Sequence, residues 1–257
     1  MSEPRNNPRI AVIGGTGMNQ WPGLEIDQRI QATTPYGPPS APLLFGRVYG
    51  VRACFLARHG EGHKIPPHRI NYRANLWALR EAGITDIIAI AAVGGITHWY
   101  PPAAVGVPDD AIDYTSGREH TYSDGGDGWE LHHVEMNEPY SARLRKHLID
   151  AARTSNLDVA ERGVMGVTQG PRLETPAEIR RLQHEGCDMV GMTSFPEAPL
   201  ARELGLDYAC LAVSVNWGAG IGEGGIHAEI EKSVEQGMSK VRMILSRALP
   251  AIVGVRA

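Results

Sequence analysis

The chain has 257 residues, 42% hydrophobic and 21% charged, and 25 basic against 29 acidic side chains leave a formal charge of −4. That composition excludes a disordered chain, and its mildly acidic balance provides no global field to gather nucleic acid or an anionic membrane surface, so any anionic ligand has to be held by local donors. The longest uncharged apolar run, Ile87 to Ile96, is about half of the ~20 residues a bilayer-crossing helix needs, the polar start MSEPRNNPRI lacks a secretory apolar region, and Cys54, Cys187 and Cys210 form no CxxC pair; the expectation is a cytoplasmic chain without disulfides or a thiolate metal site.

Residues 1–8 read as a flexible tail. Ile10 to Ile13 is a short apolar strand running into Gly14-Gly15-Thr16-Gly17, and Leu43 to Arg58 reads as two strands turned at Tyr49-Gly50. Asn71 is an N-cap for a helix that stops at Gly83, and a buried strand from Asp86 to Ala92 follows. Leu144, Leu148, Ile149 and Ala152 mark an amphipathic helix, and Gly163 to Val167 the next strand. Thr175-Pro176-Ala177-Glu178 combines an N-cap, a first-turn proline and a capping-box glutamate, with Gly186 closing that helix. A strand from Asp188 to Met192, a short helix from Pro196 to Leu204, a strand from Tyr208 to Val215 and a long helix from His227 to Leu249 complete the alternation. The expected architecture is one α/β domain over residues 1–257, a twisted mixed sheet with helices on both faces, with ligands gathering beyond the carboxyl ends of strands.

Several strand ends carry chemistry. Gly14 to Gly17 lets backbone N–H groups converge on an anion, with Thr16 adding a hydroxyl, and phosphate is the natural guest. A dinucleotide-binding turn would need a third glycine where Gln20 stands, and Trp21-Pro22-Gly23 interrupts helix growth. Arg58 offers a planar fork of donors to phosphate oxygens, and His59 beside it adds an imidazole. His59, His63 and His68 could invite a metal, but no HExxH helix accompanies them. Glu174 precedes the capped helix, where a carboxylate also suits the helix dipole. Asn216 ends the last strand with an amide that donates and accepts together, as a heterocycle edge requires. His132, His133 and His227 are isolated candidates. Thr16, Arg58, Thr193 and Asn216 all fall at strand termini, where one cleft could collect them.

Taken in order, Ile13 to Gly17, Ala57-Arg58-His59-Gly60, His63-Lys64-Ile65, Asn71-Tyr72-Arg73-Ala74-Asn75, Gly170-Pro171-Arg172 and Gly191-Met192-Thr193 with Pro196-Glu197 closely resemble the trimeric methylthioadenosine phosphorylase and purine nucleoside phosphorylase family, over Ile10 to about Pro250. The resemblance implies phosphorolysis of a purine nucleoside, with inorganic phosphate as co-substrate and no metal or organic cofactor. It also implies a homotrimer, or a dimer of trimers, with active sites near subunit contacts. Position by position, Thr16, Arg58, His59, Ala92 and Thr193 match phosphate-binding places, and Met192 matches the residue under the ribose. His133 matches a residue reaching a neighbouring subunit's site. Glu174 and Asn216, with Val93, Gly94 and Leu173 around them, match positions at the purine. Arg58, His59 and Asn216 are thereby the expected catalytic residues.

The chain departs from that pattern at three points. Methylthioadenosine enzymes carry aspartates after the last strand, whereas this chain has Asn216 and Gly218. An amide donates to O6 without a pKa shift, and Glu174 can accept from N1–H, so a 6-oxopurine such as hypoxanthine or guanine is expected over adenine. His227-Ala228-Glu229-Ile230 resembles the histidine-led segment that binds a ribose 5′-hydroxyl, while the overall likeness points to a 5′-methylthio group; both stay open. Ala91 stands where relatives often place a phosphate-binding threonine. The alternatives weighed against a 6-oxopurine phosphorylase are a methylthioadenosine phosphorylase, a Rossmann-type NAD-dependent oxidoreductase and a non-catalytic nucleoside-binding module.

Overall fold

The computed structural model describes residues 9–18, 20–125, 133–222 and 230–254; the expected tail at 1–8 and His132 and His227 lie outside them. The most apolar runs became the middle of the sheet, because only strands covered on both faces can bury every side chain. β1 (Ile10–Gly14) is wholly buried, and β4 (Val51–Ala57) and β5 (Asp86–Gly95) run parallel to it on either side. β10 (Asp207–Trp217) runs parallel along the other edge of β5. β3 (Leu43–Val48) returns antiparallel from β4 through a two-residue turn, with Val48 facing Val51 and both Tyr49 (φ 50°) and Gly50 (φ 76°) left-handed. That geometry matches the right-handed twist of the flanking strands. β8 (Val164–Val167) and β9 (Met189–Gly191) extend the sheet on the far side.

One irregularity of the sheet decides where a ligand can enter. β1 pairs with β5 only as far as Ala89, and β9 joins β5, antiparallel, only at Gly94 and Gly95. Since β10 occupies the opposite edge throughout, residues 90–93 of β5 have no strand partner on the β1 side. The ladder splits there, at the carboxyl ends of β1 and β4, and the split is the mouth of a cleft.

Two of the helices, those after Asn71 and Thr175, begin where the sequence places them. Asn71 caps α1 (Tyr72–Glu81) by accepting from the Ala74 N–H, and Ser141 caps α2 (Ala142–Thr154) in the same way through Leu144. Thr175 and Glu178 close a full capping box on α3 (Pro176–His184). α4 (Ser194–Glu203) contains non-helical Phe195 and Pro196, so its regular turns start after Pro196. Helices cover both faces of β10. Tyr208 meets Glu197 of α4 and Val213 meets Gly237 of α5 (Ile230–Val253), and residues five apart on a strand point oppositely.

Three strands escaped the sequence reading. β2 (Glu25–Ile30) is an exposed edge strand with four charged or polar residues of six, an exposed Ile26 and a bulge at Asp27, so no regular apolar alternation marks it. β6 (Val105–Gly106) and β7 (Asp110–Asp113) are too short for a pattern and exist through pairing with β10 and β8. Two central strands run past their expected ends, β5 to Gly95 and β10 to Trp217, so Ala92 and Asn216 lie inside strands. α5 continues through Pro250 because Ile252 and Val253 beyond it still pack on the core.

Candidate active site

A cavity of about 660 Å³ opens at the split, and it collects residues from seven separate chain segments, the last of them Ile230 at the start of α5. Thr16 comes from the turn after β1 and His59 from just beyond β4. Ala92, Val93 and Gly94 contribute the unpaired stretch of β5. Met192 and Thr193 follow β9, Leu173 and Glu174 precede α3, and Asn216 projects from β10. The convergence expected for Thr16, Thr193 and Asn216 is therefore present.

Arg58 is the exception. It is 1% exposed and does not line the cavity. Its Nε and Nη2 donate to the two carboxylate oxygens of Glu197 at 2.5 and 2.9 Å, and Nη1 donates to the Ile90 carbonyl at 2.8 Å. The expected fork around an anion is thus turned onto Glu197, which is itself fully buried and also accepts from the Tyr208 hydroxyl at 2.9 Å. Burial opposes the Arg58 charge, and the Glu197 carboxylate more than offsets it, holding the guanidinium above the ordinary arginine value. Nη1 satisfies the first carbonyl of β5 left open by the split, and a Cβ on Gly15 would lie 2.8 Å from it. Arg58 therefore shapes the anion loop from behind.

His59 presents a different face to the cleft. Its Nδ1 lies 2.8 Å from the Ile65 carbonyl, which can only accept, so the ring proton sits on Nδ1 and Nε2 carries a lone pair. Burial, seconded by the Arg58 charge, lowers its pKa to about 4, and the imidazole is neutral near pH 7. His63 packs on His59 with ring centroids 4.4 Å apart, and its Nε2 is 3.5 Å from the Thr16 hydroxyl. His68 instead lines another cavity with Arg69 and Arg73, so the three histidines do not converge, and among the described residues no group of three His, Cys, Asp or Glu could hold a metal. Thr193, 6% exposed, caps no helix through its side chain, which leaves its hydroxyl for the cleft.

At the opposite end stand Glu174 and Asn216. Asn216 Nδ2 donates to the Trp217 carbonyl at 2.6 Å, which fixes the amide: one N–H and the carbonyl oxygen remain for a ligand. A bulge between Ser214 and Asn216 turns this side chain. Glu178, not Glu174, takes the helix-capping role, so Glu174 is free of that duty. Its Oε1 accepts from Thr168 Oγ1 at 2.5 Å. Between the two polar ends Met192, Val93 and Ile65 supply an apolar floor. Gly170 (φ 56°) allows close packing there, since a Cβ would come within 2.5 Å of the Met192 sulfur.

His133 is exposed and outside the cavity, and Ala91 does not line it. Three supporting residues had no role assigned from the sequence, because each is placed by a contact far off in the chain. Glu197, there only part of a motif, is held by Arg58 139 residues away, and Thr168 by Gly191 23 residues away. The third is Arg118, which donates to the carbonyls of Met192 and Phe195 and to those of Thr168 and Gln169. The turn after β1 leads through a loop into β2 and not into a helix, so the glycines cannot serve a Rossmann dinucleotide site, and the oxidoreductase reading is set aside.

A family model described as the phosphorylase superfamily matches residues 9–250. The chain is 50% identical over 245 residues to a probable S-methyl-5′-thioinosine phosphorylase of Pseudomonas syringae, covering 94% of this chain and 98% of that protein. It is 42% identical over 250 residues to a 6-oxopurine nucleoside phosphorylase of Pyrococcus furiosus, covering 95% and 93%. A solved structure of methylthioadenosine phosphorylase from Schistosoma mansoni in complex with adenine superposes with a TM-score of 0.88 at 33% identity, over 97% of this chain and 93% of that one.

Proposed function

The chain belongs to the phosphorylase superfamily, and from that membership and its cleft we propose that it is a pentosyltransferase cleaving the N-glycosidic bond of a 6-oxopurine nucleoside with inorganic phosphate. The observation that carries this reading is one cavity lined at one end by Thr16, His59 and Thr193 and at the other by Glu174 and Asn216, with Met192 between them. A 6-oxopurine offers N1–H as a donor and O6 as an acceptor. Glu174 accepts the first and the free Asn216 N–H donates to the second; adenine inverts both groups.

As the C1′–N9 bond breaks, its electron pair passes to the purine, positive charge develops on the sugar, and a phosphate oxygen forms the new bond to C1′. Phosphate beneath the sugar stabilises that charge, and Asn216 stabilises the negative charge on the leaving base through O6 or N7. Neutral His59 accepts a hydrogen bond from a protonated phosphate oxygen, while Thr16 and Thr193 donate. The apolar wall of Ile65, Pro66, Pro67 and Leu173 suits a 5′-methylthio group, so S-methyl-5′-thioinosine is the preferred substrate in this reading.

The same reading includes one phosphorylase domain working as a cytoplasmic homotrimer, with no cofactor beyond its co-substrate. The likeness to named phosphorylases over more than nine-tenths of each chain supports the single phosphorylase domain. The burial of three unpaired cysteines supports the cytoplasmic setting, as a reducing compartment favours. Among the described residues no helix is long and apolar enough to cross a membrane. The test is a panel of methylthioinosine, inosine, guanosine, methylthioadenosine and adenosine, each with and without phosphate, following free base. Phosphate-dependent release of hypoxanthine is expected. Release without phosphate, or from the adenine nucleosides alone, would overturn the proposal.

A further inference from the structure

Glu174 stands in a wall between two cavities. It lines the cleft already described, and it also lines a second one of about 500 Å³ that holds Arg172 and Arg181. A carboxylate on a loop between two cavities has two directions to point, and on the far side Arg172 is paired with Glu178 at 2.7 Å and Arg181 with Glu185 at 2.8 Å, so neither arginine holds Glu174. One short contact decides between them. Thr168 Oγ1 lies 2.5 Å from Glu174 Oε1, and an ionised carboxylate only accepts, so the hydroxyl proton belongs to that bond.

Thr168 is itself rigidly placed. It follows the last residue of β8, its N–H donates to the Gly191 carbonyl at 2.8 Å, and its own carbonyl accepts from Arg118 Nη2 at 3.2 Å. With Oε1 anchored in the wall, Oε2 remains without a hydrogen bond among the described residues and is the acceptor offered to the base. We infer that Thr168 is a specificity-positioning residue: by holding Glu174 Oε1 it directs Oε2 to the N1–H of a 6-oxopurine. The inference rests on the base assignment made above. It adds that the choice of base is set partly by a hydroxyl that does not line the nucleoside cleft. An adenine ring would bring the N1 lone pair against the fixed Oε2, so the same hydroxyl acts against adenine.

The test uses Thr168→Val, which keeps shape and branching but removes the donor, with Thr168→Ala as a second donorless form and Thr168→Ser as the conservative rescue. Binding of free hypoxanthine and of adenine is measured by calorimetry at saturating phosphate, alongside the KM for phosphate. Both donorless variants are expected to bind hypoxanthine about tenfold more weakly, the effect of losing one charge-assisted hydrogen bond. Adenine binding should hold or strengthen, the phosphate KM should change less than about twofold, and serine should restore hypoxanthine binding. A merely structural role would move both bases and phosphate together, and that result overturns the inference. So does unchanged hypoxanthine binding in both donorless variants. Glu174→Gln separates the two levels: if it too leaves hypoxanthine binding intact, the base assignment falls; if it weakens hypoxanthine while Thr168→Val does not, only the role of Thr168 falls.

Discussion

Glu197→Ala is the perturbation whose size the structure sets most directly. The substitution removes both carboxylate oxygens that hold Arg58 at 2.5 and 2.9 Å, and the acceptor of the Tyr208 hydroxyl at 2.9 Å. Arg58 is 1% exposed, so bulk solvent does not reach the guanidinium. Breaking a buried pair from one side costs about 3–5 kcal/mol, because the remaining charge is left uncompensated. The orphaned Tyr208 hydroxyl moves the expected value toward the upper end of that range. A chain of this size loses about 2–4 °C of Tm per kcal/mol, so melting should fall by roughly 6–20 °C. The assay is thermal and urea denaturation of wild type, Glu197→Ala and the double variant Arg58→Met with Glu197→Leu, at equal protein concentration. Removing both charges together should return stability to within about 2 kcal/mol of wild type, since the desolvation cost disappears with the attraction. The double variant should still show a raised phosphate KM, because Nη1 no longer supports Gly15 and Ile90. A single variant within about 1 kcal/mol of wild type, or a double variant as unstable as the single one, would refute the reasoning.

Three further outcomes follow from the same geometry. His59 is held neutral in the native protein with a pKa of about 4, against 6.5 when unfolded. Between those values the unfolded chain binds more protons, so stability should fall as pH drops from about 6.5 toward 4, by up to about 3 kcal/mol, and level off below. Denaturation curves against His59→Gln check this, and equal losses in the two proteins would remove the assignment. Asn216→Ala should lower kcat for the 6-oxopurine substrate by about 10²–10³ with the fold intact, and near-native turnover would exclude its role at the base. Gly15→Ala would place a Cβ 2.5 Å from the Ile90 carbonyl, so the turn must shift; a rise of about tenfold or more in phosphate KM is expected. An unchanged KM would show that the turn does not touch the anion.

The α/β class, the capped starts of α1 and α3 and the buried central strands were legible in the sequence, because apolar period, N-caps and turn glycines act over a few residues. Thr16, His59, Thr193 and Asn216 could be marked as candidates for the same reason: each sits where a local pattern ends. The sequence could also order them by resemblance, but it could not tell a residue facing the cleft from one behind it. Arg58 and His59 are adjacent in the chain, and one faces Glu197 while the other faces the cavity. That difference is fixed by α4, 139 residues away from Arg58 at the paired position. The edge strand β2 and the short β6 and β7 exist through their neighbours' hydrogen bonds and left no mark in composition. The split in the ladder at residues 90–93 of β5 belongs to the same class. Pairing register is a property of two segments at once, and long-range hydrogen bonds and burial, which set it here, are decided only when the whole sheet has assembled.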